Sequence, residues 1–348
     1  MITAQEPPTL RSAPRATLSS FTGHAWKSTV VLAVISGGLW TATHRVAGVA
    51  WTDVVDVLTH LPLGQLGLLG VIWVGGLGIY ATVLSAALPG LGIRRSLLLN
   101  LSGSAVANLM PLGGAVATGM NWRMVRAWGH SNLSFVTFCV LTNALDVMTK
   151  LLLPVVGVAV LATLSVHVPA VLWAIAGSCA AALLLAWVAQ AVLLRPTAHP
   201  ALVAARAHSR WGSLRGHLRV TAGRTRSLLV EQWTRLLPGS VGYVAAQVVL
   251  LVLSLRAVGL DAPLSVVLMA AAIERLSSLV PLTPGGAGIA EIGTIAWLVT
   301  NGLDPVEVVA GVLVYRIFLI AMEIPVGGIL LGWWACLRYN QSTQPQAG

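Results

Sequence analysis

Apolar runs long enough to cross a bilayer organise this chain. They fall at residues 28–43, 65–88, 132–164, 168–194, 237–258 and 306–337. A spanning helix needs about 20 apolar residues, so each run predicts one. The first run is short, and His44 and Arg45 are expected to lengthen it by reaching to the interface. Two further apolar stretches, 96–122 and 264–300, are interrupted near their middles by Pro and Gly. Trp26, Trp128, Trp173, Trp297, Trp333 and Trp334 fall near segment ends, where aromatic rings anchor helices at membrane interfaces.

The polar positions assign sides. Arg195, Arg206, Arg210, Arg215, Arg219, Arg224, Arg226 and Arg235 crowd one segment, with Glu231 its only acid. By the positive-inside rule, residues 195–236 are a basic cytoplasmic loop lying against anionic headgroups. Counting outward from it puts Asp53, Asp56, Asp261, Asn301 and Asp304 outside and Arg94, Arg95, Arg123, Arg126 and Arg338 inside. The 96–122 stretch then enters and leaves on the cytoplasmic side, and 264–300 does the same from the opposite face. The expected fold class is an all-α integral membrane protein of about six spanning helices plus two Pro/Gly-broken re-entrant hairpins. Residues 264–280 alone are long enough to cross, so the pattern also admits a spanning first arm. Residues 1–26 and 339–348 read as disordered cytoplasmic tails around a transmembrane domain at 27–338. The first apolar run reads as an uncleaved signal-anchor.

The broken stretches resemble each other. One reads Asn108-Leu-Met-Pro111-Leu-Gly113-Gly114-Ala, the other Ser278-Leu-Val-Pro281-Leu-Thr-Pro284-Gly285-Gly286-Ala, and a two-residue insertion aligns them. Paired broken helices entering from opposite faces point to an inverted repeat with a site between the halves. Two ordinary kinked helices are the plainer alternative.

Composition supports lipid as the solvent. Hydrophobic residues make up 56% of the chain and charged residues 9%, against about 25% charged in soluble domains. The net charge of +10 is concentrated in the basic segment without a reading module, so no nucleic-acid partner is expected. Cys139, Cys179 and Cys336 have no paired spacing, and neither disulfide nor metal site is implied. There is no His-Glu-x-x-His motif, nucleophile elbow or Walker loop. No catalytic residue or cofactor is expected, and the chain is read as a non-enzyme.

Ionisable groups within apolar segments carry the candidate chemistry, because each costs roughly 2.5–3.5 kcal/mol at a helix centre. Asp146 and Lys150, four apart on one face, predict a buried ion pair that is either mutual neutralisation or functional. Glu274 and Arg275 point about 100° apart and need different partners. Arg316 and Glu323 are two turns apart on one face. With Glu291 these give a buried network, in which Glu291 and Arg316 are expected to line the cavity. Glu291 opens the half-helix after Gly286, where it is a structural cap, a proton site or the partner of a cationic headgroup. The free N–H groups of the half-helices after Gly114 and Gly286 suit an anionic group such as a lipid phosphate. Arg123 is either a phosphate grip or a cytoplasmic anchor.

The Asn108–Gly114 motif ending in Arg123, the Pro281–Glu291 motif and Tyr315-Arg316 in the last long helix occur here in an order similar to that of the flippase-like transmembrane family. That family contains the membrane domain of lysylphosphatidylglycerol synthases. The resemblance covers about residues 25–338 and is most specific from Pro281 to Glu291. It implies that Glu291 and Arg316 match recurrent acidic and basic positions. It also implies lipid translocation without lipid synthesis, since no aminoacyl-transferase domain is expected after Arg338. Membrane lipids are the expected partners, with a separate lipid-modifying enzyme as a further one and the cytoplasmic membrane as the location.

Three functions follow. The first is a flippase for an anionic or aminoacylated headgroup. The second is an intramembrane transferase with Glu291 or Asp146 as base. The third is a non-catalytic subunit of a lipid or glycan synthesis complex.

Overall fold

The computed structural model describes residues 48–110, 113–164, 168–193, 210–279 and 288–343. The expected span 28–43, the expected tail 1–26, residues 344–348 of the expected tail 339–348, and residues Pro111, Pro281, Pro284, Gly285 and Gly286 lie outside them. Residues 339–343 of that tail are helical, continuing the last helix. Every regular element among the described residues is helical. In order these are α1 (Trp51–Thr59), α2 (Leu63–Ala87), α3 (Ile93–Leu109), α4 (Gly113–Ala127), α5 (Asn132–Thr163), α6 (Ala170–Leu193) and α7 (Arg210–Ala257). There follow α8 (Leu264–Ser277), α9 (Ile289–Thr300), α10 (Pro305–Arg316), a π-helical turn (Ile317–Ala321) and α11 (Glu323–Thr343).

Five helices are long and apolar enough to cross a membrane: Leu63–Ala87, Asn132–Thr163, Ala170–Ala189, Val220–Ala257 and Pro305–Arg338. They match five of the six expected spans. The arms α3, α4, α8 and α9, at 17, 15, 14 and 12 residues, are shorter. At 1.5 Å per residue none reaches the roughly 30 Å of a hydrocarbon core.

Each short pair folds back on itself. The Arg95 guanidinium, at the start of α3, lies 5.5 Å from the Trp128 ring just past α4. In the second pair the Trp297 indole N–H, near the end of α9, donates to Val266 O at the start of α8 over 2.9 Å. Each hairpin thus begins and ends on one side. The α3–α4 ends pack with Leu84, Leu88, Phe135 and Leu141 in one apolar cluster, whereas α8 and α9 join Val54, Leu161, Leu255 and Val309 in another. The packing is reciprocal. The helix after the first hairpin, α5, packs on α8; α11, after the second, packs on α3; and α2 and α7, which precede them, pack on each other. Such exchange between halves is what an inverted repeat produces.

The basic segment needs correction. Residues 195–236 are expected as a loop, yet from Arg210 they form the first half of the 48-residue helix α7, which runs through Pro238. The reason is periodic burial. Thr225 and Leu236 are buried and Leu228 and Leu229 half-buried, on one stripe, while Arg224, Arg226 and Arg235 stay exposed. Some 48 residues span about 72 Å, more than the roughly 40–45 Å of a bilayer with its headgroups, so α7 extends beyond the membrane.

Asp304 caps α10, its Oδ1 accepting from the N–H groups of Val306 (2.9 Å) and Glu307 (3.2 Å), with Pro305 at the first helical position. Asp304→Ala is expected to cost about 1 kcal/mol, read as a small drop in the melting temperature in detergent. An unchanged midpoint would mean that water replaces the cap fully.

Candidate functional site

Two separate ionic clusters emerge from the sequence candidates. The first is closed. Arg316, at the last turn of α10, donates from Nε to Glu291 Oε1 at 2.6 Å and from Nη1 to Glu274 Oε1 at 2.8 Å. Their side chains are only 6–8% exposed. Glu291 is also the N3 residue of α9, and its Oε2 accepts from the Gly288 N–H at 2.6 Å. Gly288 has φ +92°, a left-handed conformation that glycine adopts without strain. One carboxylate therefore caps α9 and binds α10, and the Arg316 fork ties both arms of the second hairpin to the last long segment. Charge-assisted bonds of this length are the strong class. Glu274 Oε2 finds no hydrogen-bond partner among the described residues.

The second cluster is open. A cavity of about 550 Å³ lies among α2, α3, α4, α5, α7 and α8. Its polar wall includes Asn100, Ser104, Asn121, Asn143, Asp146, Lys150 and Arg275. Lys150 Nζ is 2.8 Å from Asp146 Oδ2, and Arg275 Nη1 is 3.9 Å from Asp146 Oδ1. Asp146 is 39% exposed against 13% for either cation, so the expected buried pair is a three-charge group open to a cavity. The Arg275 guanidinium also sits 5.9 Å from the Tyr243 ring, which stacks on Tyr80 at 4.5 Å. The Tyr243 ring, itself part of the cavity wall, helps hold the cation in place.

Glu274 and Arg275 do diverge, as their 100° offset requires: Glu274 joins the triad, Arg275 the cavity. Glu291 and Arg316, expected to line a cavity, are not among the side chains that line this one, and neither is Glu274; residues 280–287, which lead into Glu291, lie outside the described residues. Glu323 is buried, but not on Arg316's face as a continuous α-helix would place it. The π turn between them adds residues to one turn and shifts the phase, and Glu323 is held towards Ser104 of α3.

The first hairpin contributes less charge than backbone. Gly113 is buried where an added Cβ would fall 2.3 Å from Ala107 O, so α4 starts hard against the end of α3. Gly114 lines the cavity; Asn108 is half-buried and outside it. Arg123 is exposed on α4 and does not reach the cavity, an arrangement that favours anchoring. Sequence reasoning missed Tyr80, Asn100, Asn121, Asn143 and Tyr243. One signal was present: Asn143, Asp146 and Lys150, at i, i+3 and i+7, form a polar stripe on an apolar helix.

No group of three or more His, Cys, Asp or Glu side chains that could hold a metal occurs among the described residues. Among curated proteins none matches this chain. The family described as the lysylphosphatidylglycerol synthase TM region matches residues 28–327. That match spans both hairpins, the three-charge cavity and the Arg316 triad. The chain is a multi-pass member of the lysylphosphatidylglycerol synthase transmembrane-region family.

Proposed function

We propose that the chain carries lipid headgroups across the cytoplasmic membrane through the cavity between its two hairpins, with both termini and the basic start of α7 on the cytoplasmic side. The observation that carries this reading is the cavity itself, a polar space of about 550 Å³ inside a bundle of apolar helices. Ionisable groups at such depth are costly unless they are paired or face a polar space, and here one aspartate meets two cations at a cavity wall. Arg275 and Lys150 offer donors to a phosphodiester, and Asp146, half-open, offers an acceptor to headgroup amines or hydroxyls. Asparagine and serine side chains replace hydration along the wall. The Arg316 triad has a different part here: it locks the second hairpin against the last span, so that the cavity keeps its shape. Membrane lipids are then the partners, and no cofactor enters.

The test is headgroup translocation in liposomes holding the purified protein, with labelled lipids of several classes. Arg275→Ala and Asp146→Asn are expected to slow movement at least about tenfold, the loss of one charged-group contact or so. Both variants should keep the unaltered chain's elution profile. Movement at the unaltered rate in both, or none of any lipid by the folded chain, would sink the reading and favour a subunit of a synthesis complex.

A further inference from the structure

The polar cavity has an apolar neighbour. Between α5, α7 and α8 lies a groove of about 340 Å³, walled by Leu152, Val156, Val241, Ala245, Val249 and Leu264 with others of their kind. Leu152, Val241, Val249 and Leu264 are exposed, so the groove opens on the outer face of the bundle, which meets acyl chains in a bilayer.

Between groove and cavity lies a small pocket, here called the neck, with about 10 Å³ of free space, room for one water. Asp146, Tyr243 and Arg275 line both neck and cavity, while Thr149 and Val244 line both neck and groove. Ser240 stands in the neck, 6% exposed, and its Oγ has no hydrogen-bond partner among the described residues. A buried hydroxyl without a partner points to a ligand or solvent group that completes it. The sequence of environments is therefore apolar groove, buried hydroxyl, guanidinium, polar cavity. A glycerophospholipid has the same order: acyl chain, ester, phosphate, headgroup.

Resting on the headgroup pathway proposed above, we infer that groove and neck together bind one phospholipid, its acyl chain along α5 and α7 and its ester or phosphate oxygens at Ser240 and Arg275. The chain gains little by leaving one apolar medium for another. The groove's contribution is orientation: it presents the glycerol end to the neck, and the headgroup passes when the neck widens.

Two measurements on the full chain test this. Native mass spectrometry of the purified protein counts retained phospholipid, and the liposome assay follows labelled phosphatidylglycerol. Ala245→Trp fills the open groove and Ser240→Ala removes the neck hydroxyl. Val188→Trp, on an exposed face of α6, is the control. The unaltered chain should retain one phospholipid. Ala245→Trp should lose it and slow translocation about tenfold or more, as misplacement of a reacting group does. Ser240→Ala should show a smaller loss of both, and Val188→Trp neither. Retention and translocation unchanged in Ala245→Trp would overturn the proposal, as would equal losses in Val188→Trp. If the unaltered chain moves no lipid, yet retained lipid disappears only with Ala245→Trp and Ser240→Ala, the binding site stands and the transport reading falls.

Discussion

Arg316→Met is expected to destabilise the protein by about 3–5 kcal/mol, the range for removing one partner from a buried ionic pair. The substitution keeps much of the stem's apolar packing, but it leaves Glu274 and Glu291 facing one another with their shared cation gone. Both are buried, so water cannot screen them, and their unpaired charge weighs directly on the folded state. The loss should appear as a fall in the temperature at which the detergent-solubilised protein aggregates, and as poor yield. Glu274→Gln/Glu291→Gln/Arg316→Met removes all three charges and should recover a substantial part of the stability, because no uncompensated ion then remains. If Arg316→Met melted like the unaltered chain while translocation ceased, the triad would belong to the transport cavity and not to its frame.

Gly327→Val has the second large expected effect. On α11, an added Cβ at Gly327 would lie 2.0 Å from Leu101 O and 2.6 Å from Leu101 C of α3. Those are backbone atoms, so no rotamer change relieves the overlap and the two helices must part. Overpacking of this kind costs typically 1–3 kcal/mol, occasionally more, and the backbone contact puts Gly327 at the upper end. The consequence reaches the cavity, since Asn100, Gly103 and Ser104 of the same helix line it. Gly328, where an added Cβ meets nothing within 4 Å, supplies the contrast. Gly328→Ala should be neutral or slightly stabilising, as alanine is the better helix former. Equal melting of the two variants would show that α11 moves away from α3 without cost.

The Arg275 and Arg316 predictions differ because the structure separates groups that look alike along the chain. Both are arginines within apolar segments. One ends between two carboxylates in a closed fork, the other between an aspartate and a tyrosine ring at a cavity wall. The expectation of a single five-residue network came from counting ionisable residues, which says that partners must exist and not which they are. The Glu323 position shows why helix phase alone fails: a five-residue π turn breaks the seven-residue spacing from Arg316. In the same way, the arginine-rich stretch hid a helix, because its charge density outweighed the sparse apolar stripe at Leu228, Leu229 and Leu236.

By itself the sequence determined that the chain lives in lipid, where five of its spans lie, and that two Pro/Gly-broken segments form a matched pair. It also determined that Glu274 and Arg275 must part company. These are properties of local hydrophobicity, backbone chemistry and helix phase, which each segment carries wherever it packs. Only the tertiary structure decided that α5 crosses to the second hairpin and α11 to the first. That crossing encloses the 550 Å³ cavity, gives Arg275 to Asp146, and gives Arg316 to two glutamates up to 42 residues away. The physical reason is that lipid and helix interior are equally apolar, so hydropathy cannot choose between them. What chooses is close approach at small residues such as Gly327 and the pairing of ions that cannot remain alone.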